Sequence, residues 1–258
     1  MKIKILYILY IVMFNLDKAQ NKVVELNETL QSKCDKKLSL ELGFHSDFKN
    51  RPNASINKDM NNPQIILCLN YANDCISSIA CKINKETRSM EISSKTNATY
   101  EGKKYNTLMR SVTLLVAPLI QFVNVSKKRN NKSMKKRNNK SMKKSRKTTK
   151  TVNKIISRSI NPISTLLLVK YFDAKNDEFD KYLEEEDIDK STLTLDQVKE
   201  FQTDEPSESL TSSEELANME NDESFGEPLL LTVDLTDIET MKKIQNTFDE
   251  TMKKVGCP

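Results

Sequence analysis

The chain has 258 residues, with 41 Lys or Arg against 36 Asp or Glu, 37% apolar residues, four Gly, one His and no Trp. Four glycines, at Gly43, Gly102, Gly226 and Gly256, cannot furnish the Gly-rich turns of a doubly wound nucleotide-binding sheet. A single histidine, His45, excludes zinc sites built on paired histidines and makes any Ser-His-Asp arrangement depend on one residue.

The chain opens with MKIKILYILYIVMFNLDKAQ, in which Lys2 and Lys4 precede an uncharged apolar run from Ile5 to Phe14. That run is about half the roughly 20 residues a membrane-spanning helix needs, so residues 1–20 read as a secretory signal peptide with Ala19 near the cut. From Lys22 to Leu42, Val23, Leu26, Leu30, Cys34, Leu38 and Leu42 recur at three or four, which predicts a helix stopped by Gly43. The polar stretch after Gly43 predicts a loop, and Pro63 predicts the first turn of a second helix carrying Ile65, Leu69, Ile76, Ile79 and Ile83 on one face. A third helix is predicted from Tyr105 to Val125, kinked or divided at Pro118. The uncharged run from Ser111 to Ser126 is short for a membrane span and carries that proline, so no stable membrane insertion is expected.

Residues 21–126 thus read as an N-terminal helical region and 127–150 as a basic low-complexity repeat. Helices from Val152 to Ile160 and Pro162 to Leu183 make a second helical region, 151–183. Residues 184–228, acidic and Ser/Thr-rich with no sustained period, read as a disordered linker. Residues 229–258 read as a C-terminal helix opened by a Thr236-to-Glu239 capping box and closed by Gly256. The expected fold is all-α: a small disulfide-stapled helical bundle interrupted by disordered basic and acidic insertions.

In an oxidising compartment the five cysteines, Cys34, Cys68, Cys75, Cys81 and Cys257, are disulfide candidates. The odd number leaves one for pairing between two chains. On a helix Cys68 and Cys75 lie about 10 Å apart, at 1.5 Å per residue, too far for a bond that needs Cα atoms within about 7 Å. Each then needs a partner among Cys34, Cys81 and Cys257. Sequons at Asn27, Asn53, Asn97, Asn124, Asn131 and Asn139 are glycosylation candidates on the same route.

The basic repeat, KKRNNKSM twice and then KKSRKTTK, holds 13 Lys or Arg and no acid. Its patch residues are Lys127, Lys128, Arg129, Lys135, Lys136, Arg137, Lys143, Lys144, Arg146 and Lys147. Like-charge repulsion opposes folding of such a segment. Four readings stand side by side: a solvated insertion, a nuclear or nucleic-acid patch binding phosphates by counterion release, a partner for acidic residues 173–239, and a dibasic processing loop. The acidic stretch has 23 acids against four Lys, so the charge balance comes from opposed segments.

No nucleophile elbow, metalloprotease helix, phosphate loop or Cys-x-x-Cys pair occurs. His45, Ser46 and Asp47 are triad types, but adjacency in a loop is the wrong geometry. Cys34 as a thiol nucleophile competes with Cys34 as half a disulfide. No catalysis, cofactor or metal is therefore expected. What remains is Cys68-Leu-Asn-Tyr71-Ala-Asn-Asp-Cys75, a C-x2-Y-x3-C motif whose Cys68, Tyr71 and Cys75 share one stripe on a helix. Leu167 to Tyr171 echoes Leu67 to Tyr71 without the cysteines, and chance similarity explains the echo equally well.

With the leader, the Asn/Lys/Ile-rich composition and the helical periodicity, that motif resembles the bicycle proteins, secreted salivary effectors of gall-forming aphids named for paired Cys-Tyr-Cys motifs. The resemblance implies delivery with saliva into plant tissue and altered host development or gene expression by a non-enzymatic route. The expected function is a secreted effector that binds a host protein or nucleic acid, with the host cell and its nucleus as sites of action. The alternative is a secreted helical small-ligand carrier of the odorant-binding type, whose six-cysteine framework this chain lacks.

Overall fold

The computed structural model describes residues 14–33, 37–48, 64–72, 74–96, 104–124, 148–159, 161–203 and 229–255. They form a mixed α/β structure, which overturns the all-α expectation. In chain order the elements are β1 (Phe14–Asn15), α1 (Asp17–Lys33), β2 (Leu38–Phe44), α2 (His45–Phe48), β3 (Ile65–Tyr71), β4 (Asp74–Asn84) and β5 (Ser89–Thr96). Then come α3 (Tyr105–Val116), β6 (Gln121–Asn124), β7 (Thr148–Thr151), β8 (Lys154–Ser159), α4 (Pro162–Phe172), α5 (Asp177–Glu185), α6 (Leu195–Thr203), β9 (Leu229–Asp234) and α7 (Ile238–Lys254).

A six-stranded sheet has the order β2-β3-β4-β5-β8-β9, and a three-stranded sheet has the order β1-β6-β7. All pairings are antiparallel except β5 with β8. Strand alternation gives the large sheet two faces. Leu38, Leu40 and Leu42 of β2, Ile65, Leu67 and Leu69 of β3, and Ile79, Cys81 and Ile83 of β4 join the main core. Helices α1, α3, α4 and α7 pack on that side. Burying each leucine there contributes about 1.5–3 kcal/mol.

The end of the helix predicted from Lys22 to Leu42, and the helices predicted from Pro63 and from Val152, are strands, each for a physical reason. Leu38 and Leu42 fit a helical spacing, but Leu40 lies between them and is equally buried, which is the period of a strand. Every residue of β3 from Ile65 to Asn70 is buried, so periodicity has nothing to report there. β8 alternates, with Ile155, Ser157 and Ser159 buried and Arg158 exposed. The helix predicted from Lys22 to Leu42 is helical as far as Lys33, and β2 lies alongside α1.

The period-3.6 reading matches the structure where a helix is amphipathic or ends at a strong stop. α3 begins at Tyr105 as predicted; Pro118 ends it through a 3-10 turn, Ala117–Leu119, and residues beyond are β6. α3 is buried on nearly every side, as befits a central helix. The predicted Pro162-to-Leu183 helix divides at Asp173, whose φ of 54° closes α4, while Asn161 and Asn176 cap α4 and α5. At the C-terminus the helix is preceded by β9, and its cap is Asp237 rather than Thr236.

Residues 184–203, predicted as the start of an acidic disordered linker, are built into the structure. Leu193 and Val198 are buried, and the Phe201 ring of α6 lies 4.8 Å from that of Phe179 and 5.1 Å from that of Tyr182. Residues 204–228 lie outside the described residues. The segment assigned to the leader is also divided: residues 1–13 lie outside, but Phe14, Leu16 and Ala19 are buried in the main core. A cut after Ala19 would remove all three.

Candidate functional site

The C-x2-Y-x3-C segment spans the hairpin of β3 and β4. Its turn at Ala72 has a φ of 57°, the left-handed conformation that two-residue hairpin turns demand. Strand geometry separates residues that a helix would have gathered: Tyr71 packs partly buried against the main core, while Cys68 and Cys75 lie on the opposite face. The shared Cys-Tyr-Cys stripe is therefore corrected to two faces. The distant echo is corrected too, since Leu67 to Tyr71 is strand and Leu167 to Tyr171 is helix.

The same hairpin reverses the expectation that Cys68 and Cys75 are kept apart. Leu69 is opposite Ser77 but Asn70 is opposite Cys75, so Ile76 is an extra residue in β4, a bulge. Without it Cys75 would point with Tyr71 into the core. With it, Cys75 shares a face with Cys68, and their Sγ atoms are 2.6 Å apart. Phe48, Ile66 and Ala80 surround them as a second small cluster. Phe48 comes from α2 and lies over Gly43, where a Cβ would sit 3.0 Å from the ring. Cys81 is on the core face, its thiol pushed up to about 12 by burial. Cys34 and Cys257 lie outside the described residues.

A second unusual group is Arg110 in α3. It is 3% exposed, and among the described residues no carboxylate pairs with it. Its Nε donates to Asn106 Oδ1 at 3.0 Å, and Nη2 donates to Ser94 Oγ at 3.0 Å and to Ser164 Oγ. Burial pulls its pKa down to about 10, so the guanidinium stays charged at neutral pH, held by neutral acceptors from β5, α3 and α4. Nothing in the residue pattern around 110 announces this cluster, because its members are far apart in sequence.

The third feature is the root of the basic repeat. β6 and β7 pair antiparallel, with Asn124 opposite Thr148 and Gln121 opposite Thr151. Asn124 and Thr148, which bracket most of the repeat in sequence, are therefore side by side. Between them lie 12 of the 13 Lys and Arg of the repeat; Lys150, on β7, is the thirteenth. The ten patch residues from Lys127 to Lys147, and Asn53, Asn97, Asn131 and Asn139, lie outside the described residues. Asn124 is in β6. Asn27 is half-buried with its amide turned to β2, where Nδ2 donates to Leu40 O at 2.7 Å and Oδ1 accepts from Leu40 N. A glycan there would have to leave through the seam between α1 and β2.

In the short α2 turn Asp47 Oδ2 accepts from the Phe44 backbone N–H at 2.9 Å and Oδ1 accepts from Ser46 Oγ at 3.3 Å, which ties the carboxylate to its own turn. Among the described residues no group of three or more His, Cys, Asp or Glu could hold a metal ion, and no helix is long and apolar enough to cross a membrane. A groove of about 580 Å³ beside α5 is lined by Lys175, Asp180, Asp187 and Lys190 among others. Lys190 Nζ lies 2.7 Å from Asp180 Oδ1 within it.

These features define an α/β body with a buried cysteine pair on one sheet face and a small sheet whose paired strands bracket the basic repeat in sequence. Comparison with protein-family models, curated proteins and solved structures returns no match for this chain.

Proposed function

We propose that this protein is a secreted effector that acts by binding a host macromolecule, with the basic repeat as its electrostatic contact with a polyanion. The observation that carries the reading is the pairing of β6 with β7 at Asn124 and Thr148. Twelve Lys and Arg lie between those two positions in sequence, so both ends of the repeat are held at one place on the body. Such a set binds phosphates by releasing counterions and needs no fold of its own. Binding rather than turnover is the mode of action, and a host nucleic acid is the partner whose charge matches best. If the leader is removed, the cut lies ahead of Phe14, since Phe14, Leu16 and Ala19 belong to the core. The small-ligand carrier reading is not carried forward, because its shell of helices is not what this chain forms.

The test is titration of the full chain into a labelled DNA duplex and a labelled RNA across a range of salt concentrations. A variant in which residues 127–147 become a Gly/Ser segment of equal length is the comparison. About 6–10 phosphate contacts predict a loss of about 10³–10⁵ in affinity between 50 and 200 mM salt, and the variant should lose both the affinity and the salt slope. Equal binding by the two chains would overturn the reading. Delivery is tested separately: a reporter fused to residues 127–150 should accumulate in host nuclei, and the protein itself should be detected in host tissue.

A further inference from the structure

We infer that Cys68 and Cys75 form a reversible dithiol–disulfide site that clasps the bulged β3–β4 hairpin. The inference stands apart from the polyanion reading and rests on the register of the hairpin. The pairing of β3 with β4 changes step between Leu69 and Asn70, and that single extra residue, Ile76, turns Cys75 onto the face that carries Cys68. The Sγ–Sγ separation of 2.6 Å is far inside the roughly 3.5–4.0 Å of ordinary nonbonded contact between heavy atoms. It approaches the about 2.05 Å of a disulfide bond.

The surroundings favour a closed pair. Cys68 is fully buried and Cys75 is 5% exposed, and Phe48, Ile66 and Ala80 cover them. The Cys75 Sγ–H to Ser77 O bond of 3.4 Å belongs to the reduced form and is given up when the pair closes. Cys81, although only six residues from Cys75 in sequence, points into the main core and is the wrong partner for either. Cys75 is the more exposed of the two, so it is the thiol that meets an oxidant.

The oxidant is a small disulfide such as glutathione disulfide. The Cys75 thiolate attacks one of its sulfurs, a mixed disulfide forms, and one glutathione leaves as thiolate. The Cys68 thiolate then attacks Cys75 Sγ, the Cys68–Cys75 bond forms, and the second glutathione leaves. Both protons pass to the departing glutathione thiolates; the protein loses two hydrogens and two electrons, and one glutathione disulfide becomes two glutathiones. Excess reduced glutathione runs the exchange backwards. In an oxidising secretory route the clasp is closed, and in a reducing host cytosol it opens.

The experiment equilibrates the full, folded chain in oxidising and reducing glutathione buffers, quenches it with acid, alkylates the remaining thiols and cleaves after Tyr71, between the two cysteines. In the oxidising buffer the fragments carrying Cys68 and Cys75 should remain joined, lighter by two hydrogens, and separate on reduction. Cys81→Ser should leave that link intact, and Cys75→Ser should abolish it. Recovery of Cys68 and Cys75 as alkylated thiols from the oxidising buffer would overturn the inference, as would a link from either one to Cys34, Cys81 or Cys257. If Cys75→Ser fails to fold, the fragment map of Cys81→Ser decides, because the fragment that follows Tyr71 then carries Cys75 without Cys81.

Discussion

Asn27 is the residue through which α1 closes the free edge of the large sheet, and its removal is the sharpest test of the fold. Among the described residues β2 is an edge strand with β3 on one side only, and backbone groups on an open strand edge template aggregation. Asn27 satisfies both groups of Leu40, accepting from its N–H and donating to its carbonyl, and Gln20 Nε2 donates to Leu42 O at 3.2 Å. The side chain acts as a surrogate strand. In Asn27→Ala two hydrogen bonds are lost, each worth about 0.5–1.5 kcal/mol net, and the half-buried Leu40 groups are left without partners at about 1–3 kcal/mol each. Partial access of water lowers the second cost, so we expect a loss of about 2–3 kcal/mol. Urea unfolding should then show a midpoint about 1 M lower at unchanged slope, for a slope of about 2–3 kcal/mol/M. Hydrogen exchange at the Leu40 amide should accelerate with it. A midpoint within about 0.2 M of the parent, with the Leu40 amide still protected, would refute the surrogate-strand argument at this scale.

Gly43→Ala places a methyl 3.0 Å from Phe48 Cε2 and 3.1 Å from Asp47 Oδ2; we expect about 1–3 kcal/mol of destabilisation as Phe48 is pushed off the cysteine cluster, read by thermal unfolding. Ala72→Gly relieves a left-handed turn residue, a strain of about 1–2 kcal/mol, against about 0.4–1 kcal/mol of added unfolded-state entropy. A slightly higher unfolding midpoint is the expected result. Arg110→Lys should cost about 2–3 kcal/mol, because a single ammonium cannot reach Ser94, Asn106 and Ser164 together, and denaturant unfolding measures it. Asp237 accepts from Thr240 N–H and Oγ1–H at the start of α7, which holds its carboxyl below the usual value of 3.8. A lowered carboxyl binds its proton less readily folded than unfolded. The stability it contributes is complete above 3.8 and is lost as the pH falls through the folded value. An acid titration of unfolding should therefore show less acid-linked loss in Asp237→Ala than in the parent.

Charge separation, the start of α3 at Tyr105 and the C-terminal helix are legible because each depends on near neighbours; the helix expected to continue past Pro118 to Val125 is not there, and β6 takes its place. A helix closes its hydrogen bonds within four residues, so Tyr105 to Val116 carries its own instructions. The sheet is different in kind. Cys68 is a strand residue because Glu41 and Ser78 flank it, and a segment buried on both faces shows no period by which to recognise it. For the same reason the cysteines were grouped with Tyr71 on one stripe, when the alternation of a strand and one bulged residue put them together without it.

By itself the sequence determined which residues are chemically available: five thiols, one imidazole and opposed blocks of charge. Only the tertiary structure decided which of them meet. Cys68 with Cys75, Asn27 with Leu40, Arg110 with Ser94 and Ser164, and Asn124 with Thr148 are brought together by strand register and helix packing. Those contacts arise when apolar surface from distant segments is buried in common, and no local pattern encodes them.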